Sequence, residues 1–232
     1  RFNPSDMKNY STTGRTINAN NAFAINRLGL SDSYESGRSL TLGLDYNIEW
    51  LEQDQKKEMK SELKNENDDK EDIEQINNYF NIKLATVLRD QKEIFIPKIS
   101  TLNRKNSNLF GSITNKFSDN ISLGYNFSLD NDFNTLEYNA INLDLSNNNV
   151  VTKFNFIEEN GERGDSNIVG GSIAYSLDDK NFFSFETRRN RKLNLTEFYD
   201  LVYEYKNDCL TAGIKYKKTY YSDGDLRPTQ NL

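Results

Sequence analysis

The chain has 232 residues, 35% of them hydrophobic and 28% charged, with a formal net charge of −6. No run approaches the roughly 18 apolar residues of a membrane-spanning helix, so a helical membrane protein is excluded, and the acidity argues against nucleic acid as the main ligand. There is no His, the commonest general base and metal ligand. Cys209 is the single cysteine, which rules out a disulfide within the chain.

Residues 1–37 are rich in Asn, Ser, Thr and Gly without periodicity and read as a long loop. Arg1-Phe2-Asn3-Pro4 reads as mid-protein, and Gln230-Asn231-Leu232 as the onset of an apolar run, so the chain is expected to be an internal fragment. From Ser39 to Trp50 the sequence alternates: Leu40, Leu42, Leu44, Tyr46, Ile48 and Trp50 on one side, polar residues on the other. Period two predicts a strand. About ten residues is the length that crosses a bilayer at barrel tilt, and a terminal Trp suits an interfacial girdle. Leu51 to Gln75 is charged and nearly free of large apolar residues. It predicts a solvated insertion, a length-variable hairpin loop more than a binding tail.

Short-spaced strands follow. Tyr79 to Arg89 alternates, a loop with Pro97 leads to Leu109–Phe117, and Ile121 to Leu129 turns at Asp130-Asn131-Asp132. Thr135 to Leu145 changes parity near Asn139-Ala140, predicting a bulge there. Val150 to Phe156 precedes a polar loop, Glu158 to Asn167. Val169 to Leu177, a turn at Asp178-Asp179, and Phe183 to Thr187 come next, with Arg188 to Lys192 as the following turn.

Leu195 to Leu226 holds the clearest hairpin. Tyr199, Leu201, Tyr203 and Tyr205 share a face, and a two-residue loop at Asn207-Asp208 predicts Leu201 opposite Ile214 and Tyr199 opposite Tyr216. It also sets Asp200 opposite Lys215 as a charge pair on the polar face. The expected fold class is all-β: an antiparallel up-and-down transmembrane β-barrel, present as a partial, open sheet of about ten strands. Leu40, Leu42, Leu44, Tyr46, Ile48, Trp50, Tyr199, Leu201, Tyr203, Tyr205, Leu210, Ile214 and Tyr216 are its expected lipid-facing residues, and Asp200–Lys215 its lumen-facing pair.

Other candidate sites have plainer readings. Asp130-x-Asp132-x-Asn134 opens with calcium-loop spacing, but Thr135 stands where that loop needs Gly and Ile141 where it needs Glu. Glu158 and Glu159 are adjacent on a strand end, so they face opposite ways and make no carboxylate pair. Arg188, Arg189, Arg191 and Lys192 have the chemistry to hold lipid-headgroup phosphates, against the plainer reading of a solvated rim. No nucleophile–base set, phosphate-cradling Gly loop or cofactor motif is present, so no enzyme is expected.

LTEFYDLVYEYKNDCLTAGIKYKKTYYSDGDLRPTQNL closely resembles the C-terminal signature of the LPS-assembly outer-membrane protein family, LptD. RFNPSDMKN, NAFAINRLGLSDSYESGRSLTLGLDY, LATVLRD and FIPKISTLNRKNSNLFGSI resemble it too, so the likeness covers nearly the whole chain. The resemblance implies an outer-membrane barrel of a Gram-negative bacterium that inserts lipopolysaccharide into the outer leaflet. It also implies a periplasmic jellyroll domain, an LptE-like lipoprotein plug and an LptA-like periplasmic bridge as partners. Family disulfides join the jellyroll to cysteines near the barrel's C-terminus, and Cys209 matches that position. The best-known members carry two adjacent cysteines where Asp208-Cys209 stands. The expected function is therefore lipopolysaccharide transport without chemistry. A porin or substrate channel is the alternative, and a soluble β-sandwich binding module a third. With one strand left after Tyr220 and a periplasmic C-terminus, 118–120, 147–149, 178–179 and 207–208 become periplasmic turns. Pro97 and 158–167 then fall in outer loops, and the acidic insertion at 51–75 falls on the periplasmic side as an exception to the short-turn rule.

Overall fold

The computed structural model describes residues 1–51, 76–221 and 229–231. Most of the acidic insertion expected at 51–75 lies outside the described residues, as do Asp225 to Pro228 of the terminal signature. The strands in chain order are β1 (Phe2–Asn3), β2 (Gly37–Leu51), β3 (Ile76–Arg89), β4 (Leu109–Ser118), β5 (Ile121–Leu129) and β6 (Leu136–Asn147). Then come β7 (Val150–Glu159), β8 (Ser166–Ser176), β9 (Asn181–Asn190), β10 (Leu195–Lys206), β11 (Thr211–Tyr221) and β12 (Thr229–Asn231). Strands β2 to β12 form one eleven-stranded antiparallel meander in sequence order, and β1 adds two residues along β2. Among the described residues no ladder joins β12 to β1 or β2, so the sheet is open.

The unbroken alternation read for β2, β5 and β10 is what produces this architecture. Each strand exposes two faces, and only neighbours in sequence lie close enough to pair through short turns. Connections alternate between two ends. At one end those among the described residues are short, namely 119–120, 148–149, 177–180 and 207–210. At the other they are 1–36, 90–108, 130–135, 160–165 and 191–194.

The apolar core sits at the long-loop end. Met7, Ile17, Ala19, Ala22, Leu28 and Leu30 pack with Ile96 and Leu102 onto Ala85, Val87 and Phe110 of β3 and β4. Residues 1–37, expected to be a plain loop, thus form a folded cap with little regular structure. Packing onto a sheet margin needs no periodicity, only apolar residues at irregular intervals, so the stretch carries no strand or helix pattern.

Four boundaries differ from expectation. The last hairpin pairs Leu201 with Tyr216, Tyr203 with Ile214 and Lys206 with Thr211, two residues out of the predicted register. The turn spans 207–210, where Asn207 Oδ1 accepts from the N–H groups of Cys209 (3.0 Å) and Leu210 (2.8 Å). This side-chain clasp moves the tight turn one residue along, which shifts each cross-strand partner by two, and an even partner shift keeps every residue on its predicted face. The bulge expected at Asn139-Ala140 falls instead at Glu137, because Ser128 pairs with Tyr138 and Leu129 with Leu136. Glu158 and Glu159 belong to β7, so that loop shrinks to 160–165. Arg188 and Arg189 belong to β9, which leaves 191–194 as the turn.

Candidate functional site

Ladder partners share a face, so register carries one face across the whole sheet. Leu40, Leu44, Tyr46 and Ile48 of β2 pair with Leu88, Leu84, Ile82 and Phe80 of β3. The same face continues through Ile113, then Tyr125 and Phe127, then Ile141 and Leu143, then Phe154 and Phe156. It runs on through Val169 and Ile173, Phe185 and Phe183, Leu201 and Tyr203, to Tyr216 and Ile214. Aromatic rings stack along it, Tyr125 on Phe127 at 5.5 Å and Phe185 on Tyr199 at 6.2 Å between centroids.

No second layer covers this face among the described residues. Leu40, Leu42, Leu44, Tyr46, Trp50, Tyr203, Ile214 and Tyr216 are all exposed, Ile214 by 73%. Exposed apolar area of this extent marks an interaction surface, protein or lipid. Ile48, Tyr199, Leu201 and Tyr205 share the face and are half-buried. Leu210 stands in the turn rather than in β11, and is exposed.

The opposite face carries Asp45, Asn47, Glu49, Lys83, Asn126, Asp144, Lys153, Glu186 and Asp200. Asp200 lies opposite Lys217 in the ladder, but its Oδ2 meets Lys215 Nζ at 3.1 Å, a diagonal ion pair. The cap packs on this polar face, since Ala85, Val87 and Phe110 all point to it.

Glu35 fastens the cap there. Its carboxylate accepts from Arg27 Nε (2.6 Å), Arg1 Nη1 (3.1 Å) and Arg89 Nη1, while Arg27 Nη1 reaches Thr41 Oγ1 at 2.9 Å. Arg27, Glu35 and Arg89 are buried. A second anchor is Glu137, whose bulge position aims it at the polar face, where it accepts from Asn108 Nδ2 (2.6 Å). Arg163 of the β7–β8 connection donates to Ile17 O at 2.6 Å and stacks on Tyr138. Burial lowers the Arg163 pKa. These anchors escape a sequence reading because the partners lie up to 146 positions apart.

Cys209 is exposed within the 207–210 turn at the short-turn end. A two-residue turn at 207–208 would leave it one residue past the turn; the turn's move along the chain brings it inside. Asp130 Oδ1 accepts from the N–H groups of Asn134 (2.8 Å) and Thr135 (3.1 Å), which makes it a turn clasp. Glu158 and Glu159 take separate partners, Asn167 and Ser166. Among the described residues no helix is long and apolar enough to cross a membrane, which leaves crossing by strands open. No family model and no curated protein matches the chain.

Proposed function

We propose that the sheet is part of the wall of a Gram-negative outer-membrane β-barrel that carries lipopolysaccharide to the outer leaflet. One observation supports the membrane reading above others: a ten-strand run of Leu, Phe, Tyr and Ile rows on one face, uncovered among the described residues, backing a charged face. A soluble sandwich would cover that face with a second sheet. Lipid is the solvent that an apolar face of strand-length height requires, and backbone groups paired along every ladder are compatible with it.

The substrate rests on the likeness of LTEFYDLVYEYKNDCL and the other quoted segments to the LPS-assembly family, LptD. The physical task is to give the sugar head a hydrated path along the charged face while acyl chains stay on the lipid side. The LptE-like plug, the LptA-like bridge and a Cys209 disulfide to a periplasmic domain belong to the same proposal. A porin-type channel is the alternative, and lipopolysaccharide transport assays on cells depleted of the full-length protein separate the two.

Trp50 gives a direct test, being the single Trp of the chain and standing at one end of the apolar face. In the full-length protein reconstituted in vesicles, brominated acyl chains should quench the fluorescence that is lost in Trp50→Phe. Quenching by aqueous iodide instead would overturn the membrane reading.

A further inference from the structure

We infer that the long-loop end of the apolar face holds a site for the phosphate of an anionic lipid headgroup, built on Arg189 and Arg191; this rests on the membrane reading above. A groove of about 440 Å³ opens there, lined by Val169, Arg189, Arg191 and Asn194. Arg189 pairs with Val169 across the β8–β9 ladder, so its side chain follows directly on the last apolar row, Phe156 and Val169. A cation at the margin of an oily wall stands at headgroup depth.

The other two basic groups of the 188–192 segment are already paired with carboxylates. Arg188 Nε meets Glu197 Oε2 at 2.7 Å, and Lys192 is paired with Asp165. Neither Arg189 nor Arg191 has a carboxylate partner among the described residues. Arg189 Nη2 donates to Asn194 Oδ1 at 2.5 Å, which orients the guanidinium and leaves the rest of its fork open. A planar fork held in place suits bidentate phosphate recognition. The neighbouring groove, about 290 Å³, is lined by Glu158 and Asp165 besides Arg191 and Lys192. Its carboxylates repel an anion, so charge selects the first groove. The lipid is chosen over free phosphate because Val169 and the apolar rows supply a surface only acyl chains can use.

The test uses the full-length protein in phosphatidylcholine vesicles carrying either diphosphoryl lipid A or its dephosphorylated form. Wild type should prefer the phosphorylated lipid, and R189Q/R191Q should weaken that preference by about tenfold, while R188Q, whose charge is already paired, should leave it unchanged. Equal loss in R188Q, or no loss in R189Q/R191Q, would overturn the site. Inorganic phosphate competing as well as the lipid would overturn the lipid assignment. The Trp50 quenching in the same vesicles separates the two failures: intact quenching with unchanged preference sinks only this site, and absent quenching sinks the membrane reading with it.

Discussion

Glu35 is the residue on which the cap's attachment turns. Three guanidinium groups converge on one carboxylate, and Arg27, Arg89 and Glu35 expose 0%, 2% and 4% of their side chains. Removing one partner of a buried ion cluster is costly because it leaves the others charged and unsolvated, typically about 3–5 kcal/mol. Glu35→Gln keeps the shape and removes the charge. It should loosen residues 1–36 to proteolysis while amide exchange in β5 to β9 stays as in the wild type. Uniform loss of protection across the sheet would mean instead that the cluster holds the fold rather than the cap. None of these partners was legible in advance. Arg27 and Glu35 lie in a stretch without periodicity, and Arg89 reads as the polar end of a strand.

Turns set the register of each hairpin, and they divide into those the sequence makes plain and those it does not. Asp178 is plain. Its Oδ1 accepts from the N–H groups of Lys180 (2.8 Å) and Asn181 (2.7 Å) and from Asn181 Nδ2 (2.9 Å). Those bonds, Asn181's side chain first, hold its carboxyl below the ordinary 3.8. A depressed folded-state pKa stabilises above the unfolded value and is lost as pH falls through the folded one. The stability gap between wild type and Asp178→Asn should therefore be full at neutral pH and close as pH drops below 3.8. Melting of both proteins in detergent across that range checks it, and a gap independent of pH would count against the clasp. At Asn207 the same chemistry misleads. Asn207-Asp208 offers a two-residue turn, but Asn207 spends its side chain on Cys209 and Leu210, so the tight segment moves along by one and each cross-strand partner by two. Parity survives an even shift, which is why the faces were legible and the cross-strand partners were not. Glu137 shows the complementary case: the bulge exists because its carboxylate finds Asn108, 29 positions away, and parity alone misplaced it.

At the scale of the molecule the two ends are unequal. Among the described residues one carries only short turns, whereas the other carries the cap, its core and every connection of four residues or more except 177–180 and 207–210; the long β2–β3 connection, 52–75, leaves from the short-turn end and lies outside the described residues. Outer-membrane barrels have short periplasmic turns and longer outer loops. The connections that cross to the outer side can carry bulk, and a folded cap there needs side chains from several loops to meet. Here Ile17, Leu102 and Arg163 come from three separate connections and meet at one end. The sidedness this implies can be read with a bulky maleimide that does not cross the outer membrane, in a Cys209→Ser background. Asn134→Cys, exposed in the β5–β6 connection, should label on intact cells. Asp179→Cys, exposed in the β8–β9 turn, should label only after the membrane is opened. The reverse pattern would put the cap in the periplasm and reassign the polar path's exit. Equal labelling of both sites on intact cells would mean that the sheet does not divide two compartments.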